Sequence, residues 1–190
     1  MKGTPRIVWR YDWQEAKKEV EVYTDSDWAG CMRTRKSTSG GVIKVGRHII
    51  KAWATTQKTV ALSSGEAEMV AAVKGIQEGI GIKAMLKEWG EDTKVVALCD
   101  STAAIGIVNR KGVGKLRHID VSRLWVQDLR EEGKLDMKKV LGTQNPADQL
   151  TKYLGVQDVA KGLRMLDMEP REGRPEIASG VKRGIEEEVP

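Results

Sequence analysis

The chain of 190 residues has no phenylalanine, only two histidines, two cysteines and five prolines. It also has no apolar run that approaches membrane-spanning length. Two cysteines, Cys31 and Cys99, make neither a disulfide framework nor a zinc site, and they suit a reducing intracellular setting. Residues 1–20 carry scattered charge without an apolar centre, so no signal peptide is read there. No internal repeat is visible. The missing phenylalanine, beside six tryptophans, carries no structural reading of its own. What is present is 40% hydrophobic and 31% charged residues, the composition of one globular domain with a real core. Net charge is +5, unevenly spread: residues 155–190 hold six Lys/Arg and eight Asp/Glu, which leaves +7 on residues 1–154. A basic folded part points mildly to a polyanionic partner.

The stretch VEVYTDSDWAG organises the rest. Val20, Val22 and Thr24 alternate with Glu21 and Tyr23, which predicts a strand from Val20 to Asp25. Residues 1–18 are polar and read as irregular. Gly40–Val45 and His48–Ala54 predict two further strands around a Gly46-Arg47 turn, hence an antiparallel meander. Ser63 and Glu66 have capping-box spacing and open a long helix to about Trp89. Its inner stripe is Met69, Ala72, Val73, Ile76 and Ile80. Glu68 lies at the stripe's edge, in line with the small residues Ala72, Gly75 and Gly79. Lys94–Cys99 is the mostly apolar run of a strand covered on both faces. Helices over Ser101–Asn109 and Ile119–Glu132, a strand over Leu135–Leu141, and a last helix from Pro146 to Leu154 follow. Val156–Met168 can continue as helix; from Glu169 on, Gly, Pro, Arg and Glu dominate and disorder is expected. The order βββαβααβα predicts an α/β protein, a mixed sheet with helices on its faces.

Asp25 closes the first strand and Asp100 the fourth. A right-handed crossover between those strands would bring both acids to one sheet edge, where open α/β sheets place ligands. Glu68 and Asp148 are candidates for the same place. Singly, each has a bland role: Asp100 as a helix cap, Asp148 as a partner of a helix dipole, Glu68 as a solvated edge residue, Asp25 or Asp27 as a turn residue. Four clustered carboxylates without a cation would repel and raise one another's pKa. Such a cluster suits hard divalent cations, Mg²⁺ or Mn²⁺. Two such ions would serve in-line phosphoryl displacement.

YTDSDWAG, RKSTSGGV, VALSSGEAEMVAA, CDSTAAI, RHIDV and NPADQLTKYL occur here in one order and spacing. In both, the chain resembles the ribonuclease H domain of copia-type LTR retrotransposon polyproteins, over roughly Val20 to Leu154. The resemblance implies a ribonuclease H-like fold with a five-stranded mixed sheet over 19–154. Residues 1–18 then form a linker or the end of a preceding domain, and 155–190 a C-terminal extension. It implies Asp25, Glu68, Asp100 and Asp148 as a metal-binding acidic tetrad holding two Mg²⁺ or Mn²⁺ ions. The family pattern favours Asp25 over Asp27 and Glu68 over Glu66. The implied reaction is hydrolysis of the RNA strand of an RNA–DNA hybrid. The implied partners are the hybrid and the reverse transcriptase and integrase segments of the same polyprotein, with no membrane. The implied location is the cytoplasm, in virus-like particles, and the nucleus. The pattern departs in two places: the Gly142–Asn145 loop lacks the histidine of cellular ribonucleases H, and Ser122–Trp125 lacks an aromatic–His pair.

Ser26, Ser101 and Thr102 adjoin the acids and are candidates for 2′-hydroxyl contacts. Arg33, Arg35, Lys36, Arg110, Lys111, Lys115 and Arg117 are candidates for phosphates, with His118 beside them. His48 reads as a surface residue. The alternatives are a non-catalytic nucleic-acid-binding remnant and an α/β domain whose acids only cap helices.

Overall fold

The structure, a computed structural model, describes residues 6–110 and 121–173, with backbone only for 121–123. Among these, the strands are β1 (Arg6–Trp9), β2 (Glu19–Asp27), β3 (Thr38–Val45), β4 (His48–Thr56), β5 (Lys94–Cys99), β6 (Leu135–Lys139) and β7 (Met168–Arg171). The helices are α1 (Ser64–Glu88), α2 (Thr102–Asn109), α3 (Val121–Glu131) and α4 (Val156–Met165). Five strands form one mixed sheet in the order β4-β3-β2-β5-β6. The first three make the expected antiparallel meander, while β5 runs parallel to both β2 and β6. The sheet thus places the C-terminal ends of β2 and β5 side by side.

The alternation in β2 decides which face is covered by what. Val20 and Val22 are fully buried in a core with Met69, Ile76 and Val95, on the side of α1, α2 and α3. Tyr23 turns the other way, towards Val42, Ile49, Ala147 and Leu166. That second face is closed by the chain after residue 145. The small row on α1 has a direct use. A Cβ on Gly75 would fall 2.4 Å from Thr24 Cγ2, and one on Gly79 2.5 Å from Val22 Cγ2. Glycine at both lets the helix axis settle onto β2, which carries Glu68 down to the level of Asp25. The N-terminus of α1 is fixed as its sequence suggests: Ser63 Oγ accepts from Glu66 N, and Glu66 Oε2 accepts from Leu62 N at 2.8 Å.

Three stretches depart from the sequence reading. Residues 6–9, read as irregular, and 169–171, read as disordered, pair as β1 and β7, with Trp9 opposite Met168. Each strand is four residues long, too short for alternation to show, and the partner lies at the far end of the chain. Residues 11–14 are tied to the β3–β4 hairpin. Tyr11 donates to Ile49 O, Gln14 Nε2 donates to Val45 O, and Arg47 N donates to Gln14 Oε1. The helix expected over Pro146–Leu154 is instead a 3₁₀ turn, Pro146–Leu150. The backbone N–H of Thr151 donates to Asp148 O and ends the turn, and α4 starts afresh after Gly155. The start of the helix expected from Ile119 lies outside the described residues. No helix among the described residues is long and apolar enough to cross a membrane.

Candidate active site

Three carboxylates meet where β2 and β5 end and α1 begins. One oxygen each from Asp25, Glu68 and Asp100 lies within 4.8 Å of the others. Asp25 is 2% exposed and Glu68 8%, so neither is a solvated surface acid. Asp27 is used elsewhere: its Oδ1 accepts from Thr38 N, and its carboxylate packs where a Cβ on Gly30 would stand. Asp25 and Asp27 share one side of β2, but Asp27 is held at Thr38 N and Gly30, so Asp25, not Asp27, joins the cluster. Glu66 is likewise committed to the helix cap. Asp148, half-buried, shares with Asp100 the wall of an open cavity of about 450 Å³, which Asn145, Lys152 and Lys161 also line.

Burial sets the electrostatics. It pushes the Glu68 carboxyl from 4.5 up to about 8, and the charges of Asp25 and Asp100 add to the rise. Asp25 is raised for the same first reason, against the lowering effect of its hydrogen bond from Thr151. Burial also drives the Cys99 thiol up to about 12, which leaves it an inert neighbour. Lys152 forms an ion pair with Asp148 and lowers the pKa of both Asp25 and Glu68.

The donor set is compatible with a divalent metal. All its ligand atoms are carboxylate oxygens, the hard donors such cations take. Glu68 Oε1 accepts from Ser26 N at 3.3 Å, whereas Oε2 is buried with no hydrogen-bond partner. A buried, unpaired carboxylate oxygen is costly unless a cation meets it.

No model of a known protein family matches the chain. Individual relatives do. It is 38% identical to the retrovirus-related Pol polyprotein from transposon TNT 1-94 of Nicotiana tabacum over 137 residues, 71% of this chain and 10% of that one. It is 30% identical to the corresponding polyprotein from transposon RE1 of Arabidopsis thaliana over 138 residues, 71% of this chain and 9% of that one. The chain thus spans about a tenth of the length of these curated relatives. Among solved structures it is similar to a ribonuclease H1 isolated from compost, with TM-score 0.54 and 17% identity over 70% of this chain and 92% of that one. It is similar also to the N-terminal ribonuclease H domain of a Mycobacterium tuberculosis protein, with TM-score 0.50 and 17% identity over 78% and 98%. The chain is thus a homologue, over this stretch, of retrovirus-related Pol polyproteins from plant transposons, and it has the ribonuclease H fold.

Within this ribonuclease H fold, several residues shape the site that sequence reasoning passed over. Asn145 is 1% exposed; its Nδ2 donates to Thr24 O at 2.9 Å and its Oδ1 accepts from Ala147 N at 3.1 Å. It ties the turn that bears Asp148 to the strand that bears Asp25. The Thr151 hydroxyl donates to Asp25 Oδ2. The NPAD and LTK runs hold these residues, but only the fold shows that their polar groups reach back to β2.

The expected substrate residues fall in different places. The Ser26 hydroxyl donates to Thr38 O, and Ser101 caps α2 by accepting from Ala104 N, so both hydroxyls serve the fold. Thr102 is exposed beside them. Arg33 and Arg35 are exposed and Lys36 half-buried, on the loop after β2. Arg110 ends α2, with Nε and Nη2 buried and unpartnered among the described residues. Lys111, Lys115, Arg117 and His118 lie outside the described residues. His48 is bound to the N-terminal strap through Gln14 and Asp12 O.

Proposed function

We propose that this domain is a divalent-metal-dependent ribonuclease H that hydrolyses the RNA strand of RNA–DNA hybrids during reverse transcription of a copia-type retrotransposon. The observation that carries the reading is the convergence of Asp25, Glu68 and Asp100 with Glu68 Oε2 buried and unpaired. Asp25, Glu68 and Asp100, with Asp148 beside them, would hold two Mg²⁺ or Mn²⁺ ions. Bound there, the ions would activate an attacking water and stabilise charge on the departing oxygen.

The chain's own groups prepare that site. Ser26 N holds one oxygen of Glu68 and leaves the other free. Thr151 orients Asp25, and Lys152 offsets the charge of Asp148. Arg33, Arg35 and Lys36, with Arg110, Lys111, Lys115 and Arg117, would hold backbone phosphates around the acidic centre. Ribose recognition would fall to small polar and backbone groups near Ser26, Thr102 and His118. Water adds to phosphorus, the bond to the 3′ oxygen breaks, and the products are a 5′-phosphate and a 3′-hydroxyl. The partners in this reading are the hybrid and the reverse transcriptase and integrase segments of one polyprotein, in cytoplasmic virus-like particles.

The test is substrate choice. The purified chain, in Mg²⁺ or Mn²⁺, should cut labelled RNA paired with DNA and leave double-stranded DNA intact. Salt-sensitive binding of the hybrid with no cleavage under either ion would favour a non-catalytic binding remnant.

A further inference from the structure

Gln57 has no part in the reaction as described, yet it sits where β2, β3 and the start of α1 come together beside Glu68. It follows β4 and is 5% exposed. Its backbone N donates to Ser37 O at 2.7 Å, which fixes the residue against the start of β3. Its side-chain Nε2 has three acceptors in reach: Ala67 O at 2.8 Å, Ser39 Oγ at 2.9 Å and Ser26 Oγ at 3.2 Å. Two hydrogens therefore serve α1, β3 and β2 at once, with one hydrogen shared. Ser26 and Ser39 are themselves opposite one another in the β2–β3 ladder.

The choice of partners matters. Ser26 is the residue whose N–H holds Glu68 Oε1, and Ala67 is the residue immediately before Glu68. One amide thus grips both sides of the Ser26–Glu68 hydrogen bond. Gln57 Oε1 meanwhile is buried without a partner. The side chain accepts that cost because turning the amide over would face its oxygen to Ala67 O.

We infer that Gln57 is a positioning residue: it sets the distance between the end of β2 and the first turn of α1, and so presents the Glu68 carboxylate to a divalent cation. The inference rests on the function proposed above. Outer-shell groups that orient a ligand commonly change metal affinity about 10–100-fold when removed.

The experiment is calorimetric titration of Mn²⁺ into the full chain, without substrate, alongside thermal unfolding in EDTA. Gln57→Met keeps the length of the side chain and removes its donors. Gln57→Asn keeps an amide but is too short to span Ala67 and the two serines, and it serves as a second, milder variant. Val20→Ala is the control for general destabilisation, because Val20 is buried at the opposite end of β2. Both Gln57 variants should bind Mn²⁺ about tenfold or more weakly. The Val20 variant should melt earlier and bind as wild type does. Wild-type binding with both Gln57 variants within twofold would overturn this inference alone. Wild type that takes up no Mn²⁺ would overturn the proposed function and this inference with it.

Discussion

Replacing Glu68 by glutamine should stabilise the metal-free protein at alkaline pH while removing its response to divalent cations. In the folded chain the Glu68 carboxyl titrates at about 8, against an ordinary value of 4.5. The folded pKa is the higher one, so the stability it contributes is fully present below about 4.5 and is lost as pH rises through about 8. A displacement of that size corresponds to a few kcal/mol at most, at ~1.4 kcal/mol for each tenfold change. The cause is burial beside Asp25 and Asp100, which a neutral amide of the same shape does not suffer, and its oxygen can still accept from Ser26 N. For a chain of this length ~1 kcal/mol moves the melting temperature by about 2–4 °C, so Glu68→Gln should melt roughly 5–10 °C higher than wild type in EDTA at pH 9. The gap should shrink towards pH 5. Adding Mn²⁺ at neutral pH should raise the wild-type melting temperature and leave the variant's unchanged. Differential scanning calorimetry over pH 5–9 reads all of this. A variant no more stable than wild type at pH 9 in EDTA would refute the account of the buried carboxylate.

Other perturbations test how the site is held. Gly75→Ala adds a helix-favouring methyl, but in a position 2.4 Å from Thr24 Cγ2. Overpacking should outweigh propensity and cost about 1–3 kcal/mol by chemical denaturation, with activity falling as Glu68 is lifted away. Asn145→Ala strands Thr24 O and Ala147 N in the interior and should cost about 1–3 kcal/mol, again by denaturation. Lys152→Gln frees Asp148 of its ion pair; since Lys152 is 53% exposed, the gain should be modest, a tightening of Mn²⁺ binding of about two- to fivefold by titration.

The sequence was informative where local pattern and global position agree. The five strands of the main sheet and the long helix announce themselves by alternation, capping and helical spacing. Asp25 and Asp100 stand at strand ends, so topology alone brings them together. Glu68 was legible because the small row Ala72, Gly75, Gly79 marks the side of α1 that approaches β2. What stayed hidden depends on partners remote in the chain. β1 and β7 are each too short to show a period and exist only by pairing across the whole sequence. Pro146 signals the start of a helical turn but not its kind, which shows only in the backbone bonds from Asp148 N to Asn145 O and from Thr151 N to Asp148 O, three residues back each. Gln57, Asn145 and Thr151 look like ordinary polar loop residues until the fold buries them between β2 and its neighbours. Phosphate contacts from Arg33, Arg35 and Lys36 depend on a substrate path that loop composition does not reveal.

The central claim is that these carboxylates form a metal-dependent ribonuclease centre. Its most direct test is the cleavage of an end-labelled RNA paired with DNA, by wild type and by Asp100→Asn, each with Mn²⁺ and with EDTA. The account predicts cutting only by wild type with Mn²⁺, while circular dichroism shows both proteins equally folded. Equal cutting in EDTA, or wild-type cutting by the folded Asp100→Asn protein, would contradict it.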